Sequence, residues 1–173
     1  MRTPFSFVGL ALALLLVSAA CHHEKPVVEK PPPTLAFYTV SAEPIAGGRF
    51  VDTPSLPKVG HVASAPDMVV TSLEAVIPAA IPPSPPGFDK NGDIHASSMT
   101  TPALLLKLHA PDLKKLANLV KDLKKQRVLV TLDGEPLMAP TADSLFRGSG
   151  VMYPVGESGD RMRVQDELEK MAK

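Results

Sequence analysis

The chain has 173 residues, 45% of them hydrophobic, with 18 Lys and Arg against 18 Asp and Glu, 19 Pro, one Cys and no Trp. This balance excludes a strongly basic nucleic-acid binder, and a single cysteine excludes a disulfide framework within the chain. The length allows one domain with a substantial core, while the prolines indicate long extended connections, because proline interrupts helices and central strands.

The first 21 residues have the order of a bacterial lipoprotein signal. Arg2 precedes an apolar run from Phe5 to Val17, and three small residues lead to Cys21. As a helix this run falls short of the ~30 Å hydrocarbon core, which disfavours a permanent transmembrane anchor. We expect a signal peptide at 1–20 and lipid, including palmitate, on Cys21. An ordinary cleaved signal or a retained anchor is the alternative, because Ser18 stands where an aliphatic residue is usual.

The residues after the cysteine predict a tether and a location. Residues 21–34 are polar and proline-rich, with no apolar face to bury, so we expect them to hold a domain away from the membrane. His22 is not the aspartate that retains lipoproteins on the inner membrane of enteric-type bacteria. We therefore expect a cell-envelope protein that faces the periplasm, on the outer membrane rather than the inner one.

The first half of the domain, which we place at 35–173, is weakly patterned. Leu35 to Val40 predicts a strand, and the glycines and prolines of 41–66 exclude a long element. Asp67 to Ile77 fits a strand or a helix, and its apolar spacing favours the helix. Residues 78–102, rich in proline, are expected to form an irregular excursion within the domain.

The second half is patterned more clearly. Leu104, Leu106 and Leu108 alternate on one face of a strand, and the apolar residues after Pro111 recur at helical spacing. Asp133-Gly134 favours a tight type I′ turn between two antiparallel strands. The predicted elements are a strand at Ala103–His109, a helix at Asp112–Lys125, strands at Arg127–Leu132 and Glu135–Ala139, a turn-forming segment at 141–148, a strand at Ser149–Val155 and a helix at Arg161–Lys173.

This order of elements resembles the head subdomain of the first periplasmic domain of the SecD protein-export family. The matching features are a strand, a helix, a strand that ends in Leu-Asp-Gly, a return strand that ends in a small residue and Pro, a Gly-Ser turn before a further strand, and a closing helix. They fall on Leu104–Leu108, Asp112–Lys125, Val128–Gly134, Leu137–Pro140, Gly148–Val155 and Val164–Ala172. The resemblance is strongest over 103–140 and thin before residue 103.

The resemblance and the patterns together predict a fold and a function. We expect an α+β fold with a mainly antiparallel sheet of about four strands and two helices on one face, in a ferredoxin-like arrangement. By resemblance to SecD, the domain would be a non-enzymatic, lipid-anchored binding module for exported or partly unfolded polypeptides, without proton-driven transport. An exposed strand edge is one means of capture. The alternative is an assembly subunit that docks one folded partner of a cell-envelope complex.

No catalytic site, cofactor, metal site or small-molecule substrate is predicted. His22, His23 and Glu24 are adjacent on the tether and converge poorly on a metal. The segment Asp89–Asp93 resembles the start of a calcium loop but lacks its glycine and its bidentate glutamate. Asp133 beside Glu135 is interpreted as a hairpin turn with a neighbouring solvated charge, and no serine lies in a nucleophile elbow.

The helix at 112–125 is locally basic. Solvation of an exposed helix face accounts for this charge, and docking to an acidic partner or to phospholipid head groups is the functional interpretation. Lys114, Lys121 and Lys125 are the candidate docking residues. The wider basic set is Lys107, Lys114, Lys115, Lys121, Lys124, Lys125 and Arg127.

Overall fold

The chain forms strands and short helices over the part that the structure, a computed structural model, describes: residues 31–82, 87–88, 94–95, 100–123, 125–155 and 160–173. The predicted signal peptide at 1–20, the predicted lipid-attachment residue Cys21, the predicted tether up to residue 30 and the segment Asp89–Asp93 lie outside these residues. Pro32–Lys173 forms one compact unit. The elements in chain order are β1 Leu35–Thr39, β2 Arg49–Val51, β3 Gly60–Val62, β4 Met68–Val70, β5 Ala75–Ile81, β6 Gly87–Phe88, β7 Ile94–His95, β8 Thr101–Lys107, α1 Ala110–Lys121, β9 Val128–Leu132, β10 Glu135–Met138, α2 Ala142–Leu145, β11 Phe146–Arg147, β12 Gly150–Pro154 and α3 Asp160–Met171.

The first sheet has the strand order β10-β9-β1-β4, with every pair antiparallel. β1 pairs with β9 from Leu35 opposite Leu132 to Thr39 opposite Val128. All five residues of β9 are buried, which indicates that both faces of this sheet are covered. β1 and β9 are apolar apart from Tyr38, Thr39 and Thr131, so neither strand has a fully polar face to present to water.

The second sheet has the order β11-β12-β8-β5 and is also antiparallel throughout. β8 lies between its long neighbours, with Leu105 opposite both Met152 of β12 and Ile77 of β5. The other strands of the described residues form two short hairpins, β2–β3 and β6–β7. The fold is therefore α+β with antiparallel sheets, as predicted. It has two four-stranded sheets where the sequence predicted one, and the ferredoxin-like arrangement is not confirmed.

One apolar core draws side chains from both sheets and all three helices. Phe37, Leu106 and Val130 contribute from the strands, and Leu116 and Leu168 from α1 and α3. The remaining face of the first sheet packs under the β2–β3 hairpin through Tyr38, Leu129, Val51, Val62 and neighbours. The first sheet is thus the central layer of the unit.

A helix is present where the sequence predicted one, but α1 spans Ala110–Lys121 and ends before the predicted limit at Lys125. Pro111 lies in the first turn, where a missing N–H costs nothing, and Asp112 favours the positive end of the helix dipole. Leu116 is fully buried and other leucines and valines of the same face pack around it. Ala117 is exposed, although the helical spacing of Leu113, Leu116, Ala117, Val120 and Leu123 assigns it to the buried stripe. Leu119 packs on the core instead.

The prediction of a helix at Asp67–Ile77 is wrong. β4 and the start of β5 occupy this segment, and they belong to different sheets. Met68 and Val70 face the core while Val69 is exposed, which is the two-residue alternation of a strand. The apolar residues of two successive strands, read together, mimic a helical stripe.

The irregular excursion expected at 78–102 is shorter than predicted. β5 runs to Ile81 through Pro78, and β8 begins at Thr101. Pro78 is tolerated because β5 is an edge strand and needs no donor on its free side. The turn-forming segment at 141–148 likewise contains the short helix α2 and strand β11, and Leu145 from it is fully buried.

Candidate functional site

The second sheet has an apolar face on the side opposite the core. Leu104 and Leu106 of β8 face the core, so Ala103 before them and Leu105 between them face the other way. We name the apolar part of this surface the outer face; its members, taken from the strand register, are Ile77, Ala79, Ile81, Ala103, Leu105, Met152 and Pro154. The same register places Thr101 at one end of this side of the sheet and Lys107, which is paired with Glu74, at the other end. A sheet face open to water normally carries polar side chains. These seven positions carry none.

A cleft of about 370 Å³ opens at one end of the outer face. Ile81, Met152 and Pro154 belong to both, so the cleft and the outer face form one continuous apolar surface. The lining residues are Leu56, Ile81, Met138, Ala139, Pro140, Ser144, Met152 and Pro154. Seven of these eight are apolar and none is charged, so the cleft favours an uncharged, apolar occupant.

The two methionines give the cleft an adaptable lining. Met138 ends β10 and is nearly buried, whereas Met152 in the middle of β12 is half-buried. Methionine has three rotatable bonds and a polarizable sulfur, so it accommodates apolar groups of different shapes. Such a site suits apolar side chains of different shapes better than one particular molecule.

The candidate docking lysines divide into two environments. Lys114 and Lys121 are seven residues apart on the exposed side of α1, and neither forms an ion pair with any residue that the structure describes. Lys125 follows the helix and lies near α2. The side-chain hydrogen bond from Thr141 holds the pKa of Asp143 below its ordinary value, and the charge of Lys125 acts in the same direction.

Three other members of the basic set have local partners, and Lys124 lies outside the described residues. Lys115 pairs with Asp112 at 3.2 Å and Lys107 with Glu74 at 2.6 Å. The hydrogen bond from Lys107 and then its charge lower the pKa of Glu74. Arg127 donates through Nε to the Ala139 carbonyl at 3.0 Å and through Nη1 to the carbonyl of Lys58 at 3.3 Å. Arg127 therefore ties the β2–β3 connection to the first sheet.

Asp133 and Gly134 form the turn between β9 and β10. Both have positive φ, 51° and 83°, as a type I′ turn requires. The Asp133 carboxylate accepts the Thr34 N–H at 2.8 Å, and Glu135 pairs with Arg163 at 2.9 Å. These two carboxylates thus serve separate structural contacts, which is not the arrangement of an acid–base pair.

The histidines of the described residues do not converge. The rings of Phe50 and His61 contact each other across the β2–β3 hairpin, tilted by 60° with centroids 4.9 Å apart. Among the described residues, no group of three His, Cys, Asp or Glu side chains is placed to hold a metal ion. Over the same residues, none of the helices is long and apolar enough to cross a bilayer.

Sequence reasoning found the basic helix and the turn but missed the outer face and the cleft. The signal lies in three segments, AVIPAAI, TPALLLK and GVMYP, each apolar at successive positions rather than at alternate ones. Such runs are typical of strands buried on both faces. The alternation of Leu104, Leu106 and Leu108 predicts only the side of the strand that faces the core, and it gives no information on the opposite side.

Two solved structures are similar to this chain, and both are of SecDF. One, described as "Structure and function of a membrane component SecDF that enhances protein export", aligns with a TM-score of 0.47 and 14% identity over 82% of this chain and 62% of that one. The other, of SecDF in a super-membrane-facing form, aligns with a TM-score of 0.47 and 17% identity over 80% of this chain and 18% of that one.

The chain therefore spans less than two thirds of either SecDF chain. No protein-family model matches it. No curated protein matches it either.

Proposed function

We propose that this protein is a SecD-like periplasmic binding domain with a role related to protein export. In this proposal it binds apolar segments of exported or partly unfolded polypeptides, without catalysis, while Cys21 anchors it to the membrane by lipid. The observation that carries the proposal is the uncharged apolar surface formed by the outer face and the cleft.

The chemistry of this surface favours polypeptide over a small polar substrate. A cleft with seven apolar residues of eight offers burial and few directed hydrogen bonds. Burying one Leu- or Phe-sized side chain contributes about 1.5–3 kcal/mol. Two or three such anchors, reduced by the ordering of the bound chain, give weak and reversible binding. Weak binding suits a module that must release each client.

Side-chain contact replaces main-chain capture as the proposed mechanism. The edge strands β5 and β10 contain Pro78 and Pro136, and proline cannot donate a ladder hydrogen bond. An extended client is therefore better accommodated against the outer face than along these edges.

The test is a charge placed in the cleft. Met152→Lys introduces an ammonium group into an uncharged surface, so binding of an unfolded polypeptide should be largely lost. The matched control is Met162→Lys, because Met162 on α3 is 74% exposed and lies outside the cleft. Binding is measured by fluorescence anisotropy with reduced, carboxymethylated α-lactalbumin as the unfolded probe, and with the native protein as the folded comparison.

Two outcomes would contradict the proposal. Equal binding by the Met152→Lys and Met162→Lys variants would show that the cleft is not the site. Binding of native and unfolded probe with equal affinity would remove the preference for unfolded chains. Circular dichroism of both variants checks that each is folded before binding is compared.

The basic face of α1 supports a second candidate, an assembly subunit that docks an acidic, folded partner. Its supporting observation is the pair Lys114 and Lys121, exposed and without an ion pair among the described residues. Lys114→Glu with Lys121→Glu should abolish recovery of a stoichiometric envelope partner after crosslinking in cells. Unfolded-probe binding should persist in this variant if the cleft is the client site, so the two candidates separate.

A further inference from the structure

We infer that Pro78, Pro136 and Pro154 act as blocks against strand addition at the free edges of the two sheets. Each lies where its backbone nitrogen points away from the strand's paired neighbour. A proline at that position removes the donor that an incoming strand would use. This inference concerns the sheet edges and does not depend on the proposed client-binding function.

The register of the second sheet places Pro78 and Pro154. In an antiparallel ladder, successive residues direct their N–H and C=O groups to opposite sides. The Val155 N–H donates to the Pro102 carbonyl at 2.8 Å, one pair beyond Pro154 opposite Ala103. Val155 therefore bonds toward β8, and Pro154 directs its nitrogen away from β8. This part of β12 extends past the two-residue strand β11.

The same alternation extends to β5. Because Pro102 bonds toward β12, Ala103 bonds toward β5, where it is opposite Ala79. Pro78, the preceding residue, then directs its nitrogen to the free edge, and its side chain is exposed. The middle of the seven-residue edge strand β5 thus offers no donor.

The hairpin of the first sheet places Pro136. The Asp133 N–H donates to the Thr34 carbonyl at 2.9 Å, so Asp133 bonds toward β1 and Leu132 bonds toward β10. Leu132 is opposite Glu135. Pro136, the next residue, therefore directs its nitrogen away from β9, at the free edge.

The remaining edges of the two four-stranded sheets are short. β4 has three residues and β11 has two. Natural sheets protect their edges from intermolecular pairing by short edge strands and by proline, and both devices appear here. The consequence is a domain that can lie beside extended chains, including copies of itself, without incorporating them into its sheets.

The test restores two backbone N–H donors, at positions 78 and 136, in the full-length protein. Pro78→Val with Pro136→Val supplies an outward N–H and a β-branched side chain at each edge. Sedimentation velocity should show a loss of monomer relative to the parent at equal concentration, with a shorter lag in thioflavin T fluorescence. Pro102→Val is the control, because Pro102 lies on the inner strand β8 and its nitrogen points toward β12.

Two results would overturn the inference. One is association of the double variant no greater than that of the parent or of Pro102→Val. The other comes from hydrogen exchange on the monomeric Pro78→Val variant. The new amide at position 78 should exchange at nearly the rate of an unstructured peptide, because it faces solvent. Protection of that amide in the monomer would show that the assigned orientation is incorrect.

Discussion

Thr131 lies within β9 between Ala36 and Pro136, and its side chain is fully buried. Its Oγ1 has no hydrogen-bond partner among the described residues. A buried hydroxyl that loses its bonds to water without replacing them is destabilising. The sequence alone could not identify this residue, because a threonine in a strand is usual and only the packing reveals that its hydroxyl is unpaired.

Thr131→Val should therefore raise the free energy of unfolding by about 1 kcal/mol, since valine fills nearly the same space and carries no hydroxyl. Urea denaturation measures the change: the midpoint concentration should rise, and the dependence of the free energy of unfolding on urea should keep the same slope.

The matched control is Thr141→Val. The Thr141 hydroxyl lies 2.9 Å from Ser144 Oγ, so its removal should lower stability. A loss of stability in Thr131→Val as large as in Thr141→Val would contradict the interpretation of an unpaired hydroxyl.

At the level of elements, the sequence predicted those whose signals are local. α1 combines an N-terminal proline, an early acidic residue and a helical stripe, and β9–β10 combine two apolar runs with Asp133-Gly134. β4 and β5 carry no comparable signal, because each is defined by a partner far away in sequence. β4 pairs with β1 at Leu35 opposite Val70, and β5 pairs with β8 across the proline-rich stretch.

The start of β12 depends on a close approach of two strands. A Cβ added at Gly150 would collide with the Leu106 carbonyl oxygen of β8, which is backbone in an inner strand and cannot move aside cheaply. Gly150→Ala should lower the free energy of unfolding by about 1–3 kcal/mol, as overpacking does. Thermal and urea denaturation measure the change.

Ser149→Ala is the control for this prediction, because Ser149 is the exposed neighbour in the turn before β12. If Gly150→Ala were as stable as Ser149→Ala, the contact with Leu106 would not constrain the strand.

At the scale of the whole molecule, the sequence predicted the class and not the number of sheets. The strands that it identified at 35–40, 103–109 and 127–132 are present, but the pairing of β9 with β1 and of β8 with β12 divides them between two sheets. Local patterns carry no information on this division, because it depends on which apolar faces meet in the core. The candidate site could be identified only once the division into two sheets was known, since the outer face belongs to the second sheet.

The proposed anchor is tested on the intact chain. Cys21→Ser removes the thiol that would accept the lipid, so incorporation of labelled palmitate should be lost and the protein should leave the membrane fraction. The domain should fold as before, because the elements that the structure describes begin at Leu35. Membrane fractionation and palmitate labelling in cells measure the outcome. Palmitate on the Cys21→Ser variant would contradict attachment at this residue.

The position of β1 within the first sheet has a consequence for when the domain folds. β1 pairs with β9, about ninety residues later in the chain, and the Leu73 N–H bonds to the Met171 carbonyl of the final helix at 2.7 Å. Contacts of such long sequence separation form slowly, because the intervening chain must be ordered first. A chain that emerges N-terminus first therefore cannot close its core until its last helix is free. If the chain is exported, as the proposed signal peptide implies, it would remain unfolded during its passage across the membrane.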